Sequence, residues 1–156
     1  MRGLKRRMKQ IKVAQFGLGP IGIESLKLAA DQAWLDVIGG VDIDPAKVGK
    51  SLADLTGVAR LGKAKVFNSL DALFAAAGQP DVILHTAGSS AAASFEQVKP
   101  ALERGVSVAS TCEELIFPAL KTPQVANEYD ALCRRTGARV TGTGVNPGFV
   151  MDVLPI

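Results

Sequence analysis

Six residues near the start of the chain, Gly17-Leu18-Gly19-Pro20-Ile21-Gly22, have the types and spacing to hold a pyrophosphate. A G-x-G-x-x-G run alone is a weak signal. Here the run passes the tests of context: an apolar stretch, Lys12 to Phe16, precedes it, a helix-forming stretch follows it, and Asp42 lies about 20 residues past its last glycine. Each glycine has its own task. Gly17 makes the tight strand-to-helix turn, Gly19 leaves the backbone open to phosphate oxygens, and Gly22 lets the helix lie close against the strand. Pro20 fits a first helical turn, where its missing N–H would be unpaired anyway. The helix start then offers unpaired N–H groups and a positive dipole end to two phosphates. The expected ligand is a dinucleotide, set against a purely structural βα turn or a CoA or S-adenosyl group on the same fold.

Asp42 stands at the end of the second apolar stretch, where its carboxylate can accept hydrogen bonds from the adenosine ribose hydroxyls. That favours NAD over NADP. Asp44 competes for this role, but its place before Pro45 suits helix capping better, and Lys47 or Lys50 is within reach of a 2′-phosphate. Ligands of open α/β sheets bind beyond the carboxyl ends of the strands. The other stretches expected to line the site are therefore Thr86-Ala87-Gly88-Ser89, Thr111-Cys112-Glu113-Glu114 and Gly144-Val145-Asn146-Pro147-Gly148. Thr86, Ala87, Gly88 and Thr111 are the expected cofactor contacts among them, Gly88 and Thr111 foremost. No catalytic residue is assigned. Of Glu113 and Glu114, one is placed to cap the next helix and the other to face substrate, which makes Glu113 a catalytic candidate. His85, the only histidine, lies in the last residues of a buried strand and reads as a hydrogen-bonded structural residue. Cys112 has no histidine partner to activate it. Trp34 and Tyr129 read as packing residues. Cys112 and Cys133 show no metal spacing, so no metal site is expected and both thiols are expected reduced.

The elements that must position these residues alternate. Strands are expected at Lys12 to Phe16, Asp36 to Asp42, Lys65 to Phe67, Asp81 to Thr86, Val106 to Ser110 and Arg139 to Thr143. The first helix, starting at Pro20, should bury Leu26, Leu28, Ala29, Ala30 and Ala33. A short helix is expected from Asp44-Pro45 through Val48, and one bracketed at its start by Asn68 and Asp71 should end at Gly78. Further helices are expected from Ala91 to Arg104 and from Thr122 to Arg135. Strands and helices joined by short turns make a Rossmann-type, doubly wound, mostly parallel sheet with helices on both faces.

Composition narrows the function classes. With 156 residues, 47% of them apolar, one domain can bury a core. No stretch approaches the roughly 20 apolar residues of a membrane span, and a cytoplasmic location is expected. The net charge of +3 belongs to the leader, because residues 1–10 carry five basic side chains and no acid, and the remainder has net charge −2. Nucleic-acid binding is therefore not expected. The domain organisation reads as a basic leader at 1–10, a dinucleotide-binding domain at 11–150, and at 151–156 the start of a connection to a further domain, since the apolar Val150-Met151-Asp152-Val153-Leu154-Pro155-Ile156 is unlike a frayed terminus.

Three stretches, Val13 to Gly22, Ser110-Thr111-Cys112-Glu113-Glu114-Leu115 and Gly142-Thr143-Gly144-Val145-Asn146-Pro147-Gly148-Phe149, together resemble the dihydrodipicolinate reductase-like oxidoreductases, most of all the 2,4-diaminopentanoate dehydrogenase branch. The likeness covers Ile11 to Ile156. It implies NAD(P)-dependent hydride transfer on an amino acid or a cyclic imine-like substrate, and a C-terminal domain that supplies substrate contacts and homo-oligomer interfaces. It also implies that Thr111 and Asn146 line the nicotinamide side, which adds Asn146 to the cofactor contacts and catalytic candidates. The Gly-Thr-Thr-Gly turn of the reductases stands here as Ser110-Thr111-Cys112-Glu113, so their substrate does not carry over. The second hypothesis is a non-catalytic module in which NAD(P) occupancy regulates a partner.

Overall fold

The computed structural model describes residues 10–144. The leader at 1–9, Asn146 and the 151–156 connection lie outside the described residues. Six strands, β1 (Ile11–Phe16), β2 (Leu35–Val41), β3 (Lys65–Phe67), β4 (Val82–His85), β5 (Ser107–Ser110) and β6 (Val140–Gly142), form one sheet in the order β3-β2-β1-β4-β5-β6. Every strand pair in it is parallel. Five helices connect them: α1 (Pro20–Asp31), α2 (Leu52–Thr56), α3 (Leu70–Ala77), α4 (Ala91–Leu102) and α5 (Pro123–Thr136). This is a Rossmann-like sheet. The order reverses between β1 and β4, which opens a crevice at their carboxyl ends.

Side-chain alternation along the strands sorts the core into two layers. Ala14 of β1 and Ile83 of β4 face Leu73, Phe95, Val98, Tyr129 and Leu132 from α3, α4 and α5. Val13, their neighbour in β1, faces Ala29 and Leu35, and Leu26, Ala30 and Leu52 of α1 and α2 pack around Leu18 and Val66 on that same side. Gly39 and Gly40 of β2 let both layers close in. A Cβ would meet Leu73 and Phe67 at 3.2 Å on Gly39, and Leu52 at 3.2 Å on Gly40.

Several expectations need correction. Leu28 is 67% exposed, and Ala33 lies past the end of α1 and is exposed. At about 100° per residue, Leu28 sits about 200° round the helix from Leu26, away from the stripe formed by Leu26, Ala29 and Ala30. Trp34 is 45% exposed, whereas Tyr129 is buried as expected. Asp44 does cap, its Oδ1 accepting from Ala46 N–H at 2.9 Å, but residues 45–49 form a turn and not a helix. Gly49, at φ +85°, ends that turn before a second one can form. The helix actually present, α2, starts from Ser51, whose side chain and that of Asp54 make a reciprocal capping box. For α3 the cap is Ser69, between the two residues expected to bracket it. Residues 49–52 also cover the outer edge of β3, through Gly49 N–H to Val66 O, Val66 N–H to Lys50 O and Leu52 N–H to Ala64 O, leaving that edge strand no free ladder.

Candidate functional site

The turn after β1 is built around a single carbonyl. Gly17 takes φ +89°, open to glycine, and its C=O accepts from Thr86 Oγ1 at 3.0 Å and Gln15 Nε2 at 3.2 Å. Gln15 Nε2 also donates to Thr86 Oγ1 at 2.8 Å, so β1 and the residue just past β4 hold the loop jointly. Gly22 lies directly against this clamp: a Cβ there would stand 2.0 Å from Gly17 O and 2.9 Å from Thr86 Oγ1. Gly19 is its opposite. It forms the N-cap of α1 without any side-chain cap, and a Cβ added to it would meet nothing within 4 Å. The first turn of α1 carries no acidic residue. Its N–H groups and dipole therefore face open space and suit an anion.

That space is a cavity of about 350 Å³. Gly17, Leu18, Gly19, Asp42, Thr86 and Ala87 line it, with Phe16, Val41, Ile43 and Gln97. Ile43 is 89% exposed beside it, an apolar side chain with no protein surface to cover. A neighbouring cavity of about 210 Å³ shares Phe16, Val41, Ile43 and Gln97 and extends over Asn68 and Ser69.

Asp42 sits just past β2. Its Oδ2 accepts from Leu18 N–H at 2.8 Å and Lys47 Nζ at 3.2 Å, and its Oδ1 accepts from Asp44 N–H at 2.9 Å. Burial is the largest single influence on this carboxyl and pushes its pKa up. The hydrogen bonds from Asp44, Leu18 and Lys47 together outweigh burial and hold the pKa below 3.8. Asp42 is thus a carboxylate tied into the glycine loop.

The other expected residues divide. Pro20 and Ile21 open α1, and Gly22 is buried beneath the loop, so these three shape the cradle without lining the cavity. Gly88, at φ +151°, and Thr111 lie at the ends of β4 and β5 outside the cavity lining. Thr111 N–H donates to His85 O at 3.0 Å, and its side chain is half-buried.

Past β5, Glu113 and Glu114 take different tasks. Glu114 Oε2 accepts from Ala91 N–H at 3.0 Å, so it caps α4, not the helix that follows it. Its Oε1 is 3.6 Å from Lys121 Nζ. Glu113 Oε2 is buried and has no hydrogen-bond partner among the described residues. Both carboxylates line a cavity of about 310 Å³ whose remaining wall is Ile116, Phe117, Leu120 and Lys121.

His85 is fully buried, with Nδ1 2.8 Å from Ser110 Oγ and Nε2 2.9 Å from Gln97 Oε1. The Gln97 carbonyl requires a proton on Nε2, which leaves Nδ1 to accept from the Ser110 hydroxyl. Burial lowers the His85 pKa, more than the Gln97 bond raises it, and keeps the ring neutral. It is a structural residue, as its position in the strand implies. Cys112 is fully buried, and no group of three metal-ligating side chains occurs among the described residues. No helix among them is long and apolar enough to cross a membrane.

Sequence reading missed Gln15, Phe16, Ile43 and Gln97. Gln15 had a visible signal, as a lone amide within a buried strand. The contribution of Gln97 depends on how α4 lies over β4, which no local pattern encodes.

No family model matches the chain. It is homologous to 2,4-diaminopentanoate dehydrogenase of Acetoanaerobium sticklandii, at 29% identity over 149 residues, which covers 96% of this chain and 42% of that relative. Its fold is similar to that of an amine dehydrogenase from Mycobacterium smegmatis, with TM-score 0.77 and 29% identity over 86% of this chain and 39% of that one. It is also similar in fold to a dipicolinate-bound dihydrodipicolinate reductase from Paenisporosarcina sp. TG-14, with TM-score 0.61 and 19% identity over 84% of this chain and 46% of that one. The chain thus spans less than half the length of each of these proteins.

Proposed function

We propose that the chain is the NAD(P)-binding part of an oxidoreductase acting on an amine-bearing small molecule, an amino acid or a cyclic imine-like compound. The observation that carries this reading is the Gly19 cradle: an uncapped helix start, open space where a side chain would be, and a cavity of about 350 Å³ leading away from it. A dinucleotide fits these residues. Leu18, Gly19 and the first turn of α1 take the pyrophosphate, Asp42 retains acceptor capacity for the ribose, and Ile43 gives an apolar face for the adenine. When bound, the nicotinamide supplies the hydride chemistry, and the chain supplies orientation and exclusion of water.

Asp42 favours NAD, because a carboxylate accepts from ribose hydroxyls and repels a 2′-phosphate. The names of the relatives support an amine-bearing substrate, and so does Glu113, which lines a cavity past β5 together with the apolar side chains of Ile116, Phe117 and Leu120. A carboxylate there attracts an ammonium while Ile116 and Phe117 cover an aliphatic chain. A C-terminal domain completes the substrate site and carries the homo-oligomer contacts in this reading.

The test is a titration of the 156-residue chain with NADH and NADPH, read by nicotinamide fluorescence. Saturable binding of at least one, released by adding the oxidised form, supports the proposal. No binding of either at millimolar concentration overturns it.

A further inference from the structure

The carboxylate beside the ribose position does not stand alone. Lys47 Nζ lies 3.2 Å from Asp42 Oδ2 and 3.6 Å from Asp44 Oδ2. The turn holding it is closely specified: Lys47 N–H donates to Asp44 O at 2.9 Å, Ala46 N–H to Asp44 Oδ1 at 2.9 Å, and Asp44 N–H to Asp42 Oδ1 at 2.9 Å. Asp42 in turn accepts from Leu18 N–H of the glycine loop at 2.8 Å. One ammonium is therefore shared by two carboxylates, and one of the two, Asp42, lines the cavity.

Resting on the reading that this cavity takes NAD(P), we infer that Lys47 determines how well a 2′-phosphate is tolerated, and that Asp44 is the latch that restrains it. The charges give the direction. Two carboxylates and one ammonium leave the cluster at net −1, while a 2′-phosphate brings a charge of about −1.5 to −2 at neutral pH. Held by both acids, Lys47 offsets Asp42 and no more, so NADP meets net repulsion and NAD meets none. Without the Asp44 charge the cluster is neutral, and Lys47, held by Asp42 alone, can turn its head on its four-carbon stem toward the phosphate. Without the Lys47 charge the cluster is −2, and the repulsion grows. Lys50 does not share this position. Its backbone pairs with Val66 at the edge of β3, and it makes no ion pair with either aspartate.

The substitutions that test this change charge and keep shape. Asp44→Asn retains the side-chain oxygen that accepts from Ala46 N–H, and Lys47→Met retains an unbranched apolar stem. The readout is the ratio of the NADPH and NADH dissociation constants, measured by nicotinamide fluorescence at about 20 mM and about 300 mM salt. Thermal melting checks that each variant is folded. For unit charges a few ångströms apart near a surface, the ratio should move about tenfold, toward NADPH in Asp44→Asn and away from it in Lys47→Met. Both shifts should shrink at high salt, where exposed charges are screened. Lys47→Arg should return the ratio to within about threefold of the original. A folded Asp44→Asn or Lys47→Met protein with an unmoved ratio, or a shift that ignores salt, overturns the inference and leaves the proposed function intact. Failure of the unaltered chain to bind either nucleotide overturns both.

Discussion

Gly19 and Gly22 belong to one motif, yet the structure predicts opposite consequences for the same substitution. In Gly22→Ala the new methyl would stand 2.0 Å from Gly17 O, 2.9 Å from Gly17 C and 2.9 Å from Thr86 Oγ1. Two of these are backbone atoms, so α1 must retreat or the Gly17 carbonyl must turn away. Overpacking of this kind costs about 1–3 kcal/mol. Turning the carbonyl also breaks its bonds from Gln15 and Thr86, at about 0.5–1.5 kcal/mol each. The sum, about 2–6 kcal/mol, is a large part of the stability of a small domain. In Gly19→Ala the methyl meets nothing within 4 Å, and φ −69° with ψ −174° is open to any residue. Alanine is a poorer N-cap than glycine, so a loss of under about 1 kcal/mol is expected. The same methyl projects into the space proposed for the pyrophosphate. Displacing phosphates from the helix start by one methyl should weaken nucleotide binding about thirtyfold, a change of about 2 kcal/mol. Urea unfolding followed by far-UV circular dichroism reads the first quantity, and NADH fluorescence titration reads the second. Equal stability losses in the two variants, or a Gly19→Ala protein that binds NADH as tightly as the parent, would refute the division of labour within the loop.

Substitutions at two further positions probe the scaffold. His85 is the only histidine, and its folded pKa lies below the ordinary 6.5. The stability it contributes is therefore fully present above pH 6.5 and is lost as pH falls through that value toward the folded pKa. Unfolding free energy should drop between pH 7 and pH 5, and His85→Asn should remove most of that slope; an unchanged slope in the variant would assign it elsewhere. Arg60 donates to Ala30 O, to Gln32 O at 3.3 Å and to Leu35 O at 3.0 Å, closing the carboxyl end of α1. Arg60→Ala should lower the unfolding free energy by about 1–3 kcal/mol, with Arg60→Lys recovering only part, because a single ammonium nitrogen cannot span the carbonyls that two separate guanidinium nitrogens reach.

The features legible in the sequence were those carried by short-range rules. Lys12 to Phe16 reads as a strand because it is a short apolar run closed by glycine, and Pro20 marks the start of α1 because that position needs no N–H. Asp44-Pro45 was read correctly as a cap and incorrectly as a helix. The capping bond forms, but Gly49 takes a left-handed conformation that stops propagation, so a valid start signal led nowhere. The reverse happened at α2, where Ser51 and Asp54 make a capping box for a helix of five residues, too short to show a period. Residues that act across elements were invisible. Arg60 reaches α1 from a connecting turn, and Gln97 comes to the nucleotide cavity only because α4 crosses β4. Glu114 shows the same limit from the other side: a cap was foreseen for one of Glu113 and Glu114, but the helix that Glu114 caps is the one before it in the chain, not the one after.

Asp42 shows how a position legible in sequence can still be misjudged in kind. Its place after β2 makes it the expected ribose acceptor, which pictures a carboxylate waiting for ligand. In the structure three donors already reach it, from Leu18, Asp44 and Lys47. An ionised carboxylate offers about four lone-pair sites, so capacity for a ribose hydroxyl remains, but the residue is also a strut between the glycine loop and the turn that holds Lys47. Removing it would free the Leu18 N–H, leave Lys47 to Asp44 alone and change the charge at once. Loss of binding on substituting Asp42 would therefore say little about ribose recognition, since a collapsed loop gives the same result. Gly19 and Asp44 separate these effects. The first adds bulk to the cradle without touching the strut, and the second alters the charge while its hydrogen bond to Ala46 stays in place. The chemistry of the site is best read through the neighbours of its most conspicuous residue.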